Sequence, residues 1–472
     1  NVPNFLGHLL FYLKSKIKKM KNLFYIFTLT LLISCGKENI KDNEDSEEFP
    51  GGATTYTSIF SGSFEQPSTN MNAAEIARHA AGDAGFERIF VTSPAPVNQG
   101  VGPIFNHVSC VSCHPKNGKS VQPTSGLDLK GLLFRVSIPR ADESQGPMPV
   151  PGLGGQFQQR AILGTTSEGS AQISFSETTH TFSDGTPYAL RKPTYTLTST
   201  TATIPANMMV SPRIAQQVIG LGLLEAISET DIIAQQDIND VNGDGISGKA
   251  NRVFNPVNNL FELGRFGWKA NNASLLEQTA GAIHQDIGIT SYIFPQESAS
   301  GQVQDDGLTD DPEIDSQSLV NLAFYVQSLA VPKRRFFNDA NTNNGKKIFF
   351  NIGCNNCHTQ KYITGNSSPF TFLNNQTIYP YTDMLLHDMG NDLADGRPDF
   401  LANGNEWRTP PLWGIGLSEL VNGHTSLLHD GRARNILEAI MWHGGEAESQ
   451  KNKVSKLSKK DREDLVKFVS SL

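Results

Sequence analysis

The sequence predicts a mainly α fold made of two related halves, and three observations predict it. Cys110-Val111-Ser112-Cys113-His114 recurs as Cys354-Asn355-Asn356-Cys357-His358. Segments flanking the motifs carry apolar residues at helical spacing. A set of shorter matches surrounds both motifs in one shared order.

In each motif two thiols three positions apart can add to the two vinyl groups of one haem. The histidine that follows can then reach the iron from below. A zinc site or two disulfides would also use paired Cys-x-x-Cys segments, but neither explains a histidine after both. The motifs consume four of the five cysteines in the chain. They imply two covalently bound haem c groups, one held by Cys110, Cys113 and His114, the other by Cys354, Cys357 and His358.

The helices follow in order. Ala73, Ala74, Ala77, Ala80 and Ala81 recur at helical spacing across 70–90, with Phe86 and Phe90 four apart. Gly102-Pro103-Ile104-Phe105 leads into the first motif as Gly345 to Phe349 leads into the second. The chain ends on an apolar face of Leu465, Phe468, Val469 and Leu472, started by Ser458 with Asp461 as a capping signal. Leu322 to Leu329 matches that helix, and Pro332 closes it. Between these ends, Arg191-Lys192-Pro193 parallels Arg408-Thr409-Pro410, and Leu224-Glu225-Ala226-Ile227 parallels Leu437-Glu438-Ala439-Ile440. The order describes two tandem cytochrome c-like domains, 70–331 and 332–472. The first is enlarged by a Gly/Pro-rich stretch at 144–155, a Thr/Ser-rich segment at 165–204 with strand character, and a further insertion of roughly eighty residues.

The first 35 residues carry five lysines and no acid, so the remainder holds 34 basic against 47 acidic residues. Such a surface repels phosphate backbones and excludes nucleic acid as a partner. Lys18, Lys19 and Lys21 precede an apolar run, Asn22 to Ile33, too short to span a bilayer but suited to a signal peptide. Leu32-Ile33-Ser34-Cys35 reads as a lipobox, with Met20 as the start and 1–19 as an upstream extension; a plain secretory signal is the alternative. Residues 1–35 are thus expected as leader and 36–69 as a polar tether. The expected location is the cell envelope, with the protein held to the membrane only through a lipid anchor and facing the periplasm or lying on the outer-membrane surface.

Asp240, Asn242 and Asp244 place oxygens at alternate positions, with glycine where a loop would turn. This matches the first half of a calcium loop, but Asn251 stands where an EF-hand has Glu. Calcium and an Asx-rich turn both fit. For the sixth ligand of the second haem the sequence offers Met384, His387, Met389, His424, His429, Met441 and His443, the last delivered at the end of a helix.

Tyr381 to Gly390, Glu406 to Gly414, Leu428 to Ala433 and Trp442 to Ala447 resemble the di-haem oxidoreductase family, some of whose members are labelled thiol oxidoreductases. Gly220 to Glu225, Asp244 to Gly248 and Gly264 to Ala270 resemble it too. The likeness covers roughly 80–472. The family is similar to bacterial di-haem cytochrome c peroxidases, in which a methionine fourteen residues after a His-x-Gly histidine ligates the electron-transfer haem. Counting from His429 reaches His443, so the resemblance implies a histidine ligand there.

Five residues after Glu438 is His443, while five after Glu225 is Thr230, which is no iron ligand. The first haem is therefore expected to be open, with His107, His180, Met208 and Met209 as ligands that could still fill it. An open iron that cleaves peroxide needs a proton carrier and polar help for the departing oxygen. Glu225, Arg213 and Gln216 are the candidates. The expectation is an exported peroxidase reducing hydrogen peroxide at the first haem. Its electrons would come through the second haem from a donor protein, a small cytochrome or a cupredoxin. A non-catalytic electron-transfer cytochrome and a haem-based thiol oxidoreductase are the alternatives.

Overall fold

The computed structural model describes residues 46–124, 131–307 and 311–472. The expected leader, and the tether as far as residue 45, lie outside them. The rest of the tether region packs onto the fold: Phe64 is buried, and Glu47 pairs with Arg334 and Lys346. No helix among the described residues is long and apolar enough to cross a membrane.

Helix α1 (Ala73–Phe86) begins where the Asn72 side chain accepts from the Ala74 and Glu75 amides while Glu75 reaches back to the Asn72 amide, satisfying otherwise unpaired donors. It lies against α4 (Ser316–Ser328). In the second half, α5 (Ala340–Ile352) lies in the same way against the terminal helix α7 (Lys459–Ser471). The Ser458 hydroxyl caps α7 by accepting from Asp461 N, as its sequence signal predicted. Both crossings depend on glycine: a Cβ on Gly82 would sit 2.3 Å from the Asn321 carbonyl, and one on Gly345 would sit 1.9 Å from the Asp464 carbonyl.

These crossings identify which residues are equivalent. Four residues after each glycine stands a phenylalanine whose ring centre is 6.2 Å from a motif histidine, Phe86 from His114 and Phe349 from His358. Each also packs 5.2 Å from an aromatic ring of the partner helix, Tyr325 and Phe468 respectively. The counterpart of Phe349 is therefore Phe86, not Phe105. Phe105 lies instead in a short strand paired with Arg160 and Ala161.

The fold is mixed α/β rather than mainly α, with 30% helix and 19% strand. Strand β1 (Leu132–Ser137) pairs with β4 (Met209–Ile214), and between them β2 (Gly169–Thr181) and β3 (Pro187–Ser199) form a long antiparallel hairpin. Farther on, β5 (Leu386–Asp388) pairs with β6 (Glu406–Arg408). The Thr/Ser-rich insertion is the main reason for the correction. Its β-branched and aromatic residues favour a pleated, half-buried surface over a helix or loop. Arg191-Lys192-Pro193 belongs to this hairpin, so its likeness to Arg408-Thr409-Pro410 is not an equivalence. The tip of the hairpin reaches the second half, where Phe182 joins the core around α5 and α7 and Asp184 pairs with Arg462 at 2.7 Å.

Candidate functional site

Around each Cys-x-x-Cys-His motif the helices and strands leave a cleft. The second is lined by Cys354, Cys357, His358 and His443, with largely apolar walls from α5, α6 (Ile436–Trp442) and α7. His358 Nδ1 lies 3.0 Å from the Tyr381 carbonyl, and His443 Nδ1 lies 2.7 Å from the Ala439 carbonyl. In the first cleft His114 Nδ1 lies 2.6 Å from the Gln216 carbonyl. Each carbonyl accepts from Nδ1–H, leaving the Nε2 lone pair for a metal. Burial pushes all three imidazoles down, His358 to about 4, so they are neutral at pH 7 as ligation requires. Burial pushes the Cys110 and Cys354 thiols up to about 12. That opposes the thiolate character thiol exchange needs.

The other sixth-ligand candidates are placed differently. His387 Nε2 is 2.7 Å from Asp383 and its Nδ1 is 2.7 Å from Glu446, so both ring nitrogens are engaged. Burial opposes its protonation, but the Asp383 carboxylate prevails and holds its pKa well above the usual histidine range. His429 lies flat on Trp407, ring centres 3.9 Å apart. Met384 and Met441 are packed in cores, while Met389 lines the cleft together with His387 and His429.

The first cleft corrects the register. Glu438 accepts from Arg434 N at 2.6 Å and donates its amide to the cap residue Asn435. Its match in geometry is Glu277 on α3 (Leu275–Ala282), which accepts from Ala273 N at 2.7 Å and donates to the cap residue Ser274. The loops before them also agree: a bridge joins Leu427 to Ala433 in one and Phe266 to Asn272 in the other. Five residues beyond Glu277 is Ala282, which lines the first cleft as His443 lines the second. The place expected for Thr230 thus belongs to Ala282, and it offers a methyl group. His107, His180, Met208 and Met209 are not among the residues lining this cleft.

The expected catalytic groups fare unevenly. Glu225 is not part of the cleft wall. It accepts from Leu275 N at 2.7 Å and Gln327 Nε2 at 2.6 Å, tying α2 (Leu221–Glu225) to α3 and α4. Its carboxyl, pushed up by burial, is a structural cap rather than a proton carrier. Arg213 lines the cleft, with its guanidinium on Asp399 at 2.8 Å. Gln216 lines it too, holding His114 through its carbonyl while Oε1 accepts from Arg408 Nη2 at 3.3 Å.

Asp286 and Arg135 also line the first cleft and were not anticipated. Asp286 is half-buried, its carboxyl raised by desolvation against the opposing pull of Arg135, and it accepts from Gln156 Nε2 at 2.8 Å. On β1, Leu132, Phe134 and Val136 face the core while Leu133 and Arg135 face the cleft, following strand alternation. The pattern Ser274-Leu275-Leu276-Glu277 beside Asn435-Ile436-Leu437-Glu438 was the signal that could have located α3, and with it Asp286.

Trp268 and Arg408 line both clefts, and Arg408 N donates to the Trp268 carbonyl at 2.9 Å. Beside them Lys269 lies over the Trp407 ring and pairs with Asp395 at 2.8 Å. In the 240–247 loop, Asp240 and Asp244 accept from the amides of Gly245 and Ile246, an arrangement that matches an Asx-rich turn.

The family described as "Di-haem oxidoreductase, putative peroxidase" matches residues 44–472. The chain belongs to the di-haem oxidoreductase family. Membership implies two haem groups, and the two clefts fit them: each joins apolar walls to a neutral histidine oriented by a carbonyl at Nδ1. No curated protein matches the chain. Among solved structures, hydrazine synthase of Kuenenia stuttgartiensis is similar at 19% identity over 34% of this chain and 57% of that one, with a TM-score of 0.23. That likeness supports no inference about fold or function.

Proposed function

We propose that this di-haem oxidoreductase is an exported peroxidase. The observation that supports this reading best is Ala282 at the position where the second cleft has His443. Cys110, Cys113 and His114 would hold one haem, the cysteines through thioethers; Cys354, Cys357, His358 and His443 would hold the other. The haems would supply the redox chemistry, electron acceptance in the second cleft and reduction of the peroxide O–O bond in the first.

The chain's own groups have separable tasks. The Gln216 and Tyr381 carbonyls fix the tautomers of His114 and His358. Ala282 would offer the haem of the first cleft no ligand atom where His443 offers one in the second. Asp286, with a raised pKa, can take a proton from one peroxide oxygen and return it to the other, while Arg135 stabilises the negative charge that develops. Trp268 and Arg408 span the gap between clefts, on the path electrons would take from a donor protein docking near the second. Export as a lipoprotein through Cys35 belongs to the same reading, since bacteria attach c-type haem outside the cytoplasm.

The test is Ala282→His. The new imidazole should close the first iron, turn it low-spin and abolish peroxide reduction, while the second haem's spectrum stays unchanged. Full turnover in that variant would refute the reading.

A further inference from the structure

The first cleft does not end at the haem site. Arg135, Asn271, Asn272 and Gln278 line it and also line an adjoining cavity of ≈ 840 Å³. Hydrogen peroxide needs little more room than a water molecule, about 30 Å³, whereas a cavity of several hundred Å³ is in the range that houses whole organic ligands. We propose that this cavity is a substrate chamber, and that the peroxide consumed beside Asp286 is a bulky, neutral organic hydroperoxide.

The lining argues for the class. Pro147, Pro149, Pro151, Phe294 and Phe400 offer apolar surface for an organic body. Gln156 and Gln158, each 3% exposed, have their amide nitrogens engaged by Asp286 and Gln285, and their Oε1 atoms lack a partner. Neither oxygen has surface open to the cavity, so the two side chains form wall and offer the ligand no contact of their own. The wall's guanidiniums are engaged by carboxylates: Arg397 meets Asp399 at 3.1 Å, sharing it with Arg213 at 2.8 Å, and Arg135 faces Asp286. Glu168, raised by burial to about 8, is neutral at pH 7. The remaining carboxylate, Glu297, clusters with Asp311 and Glu313 and would repel an anion. A neutral ligand meets these conditions.

The inference rests on the peroxidase reading and deepens it. Two electrons from the donor protein and two protons convert ROOH into ROH and water. The O–O bond breaks, one oxygen leaves as water, and the other stays on carbon as the alcohol.

Two glycines allow the chamber to be filled. A Cβ on Gly155 meets nothing within 4 Å, and one on Gly281 comes no closer than 3.9 Å, to Phe294. Gly155→Trp and Gly281→Phe should therefore occupy the cavity with little disturbance to its walls. With cumene hydroperoxide as substrate, each variant should lose at least about tenfold in kcat/KM while hydrogen peroxide turnover stays within about twofold. Calorimetric titration with 2-phenyl-2-propanol, the unreactive product alcohol, should show binding to the wild type that weakens by at least about tenfold in both variants. If hydrogen peroxide is turned over and cumene hydroperoxide is not, the chamber proposal fails and the peroxidase reading stands. Equal losses for both peroxides in both variants, or no binding of the alcohol, would also sink it. If neither peroxide is turned over, the underlying reading fails as well.

Discussion

Replacing Asp395 with Asn removes one charge from the bridge between the clefts and leaves its partner behind. Lys269 and Asp395 have no exposed side-chain surface, and the ammonium makes three bonds of 2.8 Å, to Asp395 Oδ1 and the carbonyls of Arg397 and Asn403. Two carbonyls cannot neutralise a buried cation, so the loss should cost about 3–5 kcal/mol. At about 2.1 cal/mol/K of unfolding entropy per residue, a unit of this size shifts its melting point by about 1 °C per kcal/mol, so Tm should fall by about 3–5 °C. Burial already pushes the Lys269 pKa down, with Asp395 opposing it; without Asp395 the folded value falls further below the unfolded one. The unfolded chain then binds more protons, so the variant's stability rises with pH up to the unfolded lysine pKa of about 10.4. Thermal unfolding followed by circular dichroism at several pH values checks both points. A deficit under about 1 °C, or one that does not shrink as pH rises, would refute the account of this pair.

Three further outcomes follow. His443→Ala should convert the second haem from low to high spin, seen in its optical spectrum, and should slow donor-driven turnover while ligand binding at the first haem persists. Asp286→Asn should preserve the spectrum of the first haem and slow its reaction with peroxide by about 10²–10⁴-fold in stopped-flow measurements, with the pH dependence flattened. Gly345→Ala should separate α5 from α7, because its Cβ would lie 1.9 Å from the Asp464 carbonyl; a loss of about 1–3 kcal/mol in urea unfolding is expected.

Much of this site was legible because the chemistry of covalent attachment fixes sequence spacing. The two Cys-x-x-Cys-His motifs lie at the two clefts, and His443 lines the second. The terminal helices were legible through their periodicity: Leu322 to Leu329 does occupy the place of Leu465 to Leu472. The register inside the first half was not. Leu-Glu-Ala-Ile occurs at 224–227 and 437–440, but identical letters do different work there: Glu225 caps a neighbouring helix, whereas Glu438 and Glu277 close their own. The cap residues Ser274 and Asn435 differ in name and agree in function, which letter matching overlooks. Phe86 was hidden in a similar way, because an insertion separates it from Cys110 while Phe349 stays close to Cys354. The hairpin was underweighted because its exposed Thr and Ser residues read as loop until a partner strand is known. Asp286 gave no signal of its own, since only folding brings it against β1 and Gln156.

The central claim is that the two irons differ, one open and one closed by His443. The electron paramagnetic resonance spectrum of the oxidised wild-type protein, loaded with both haems, tests it most directly. The account predicts one high-spin ferric signal from the haem on His114 and one low-spin signal from the haem between His358 and His443, in equal amounts; two low-spin signals would contradict it.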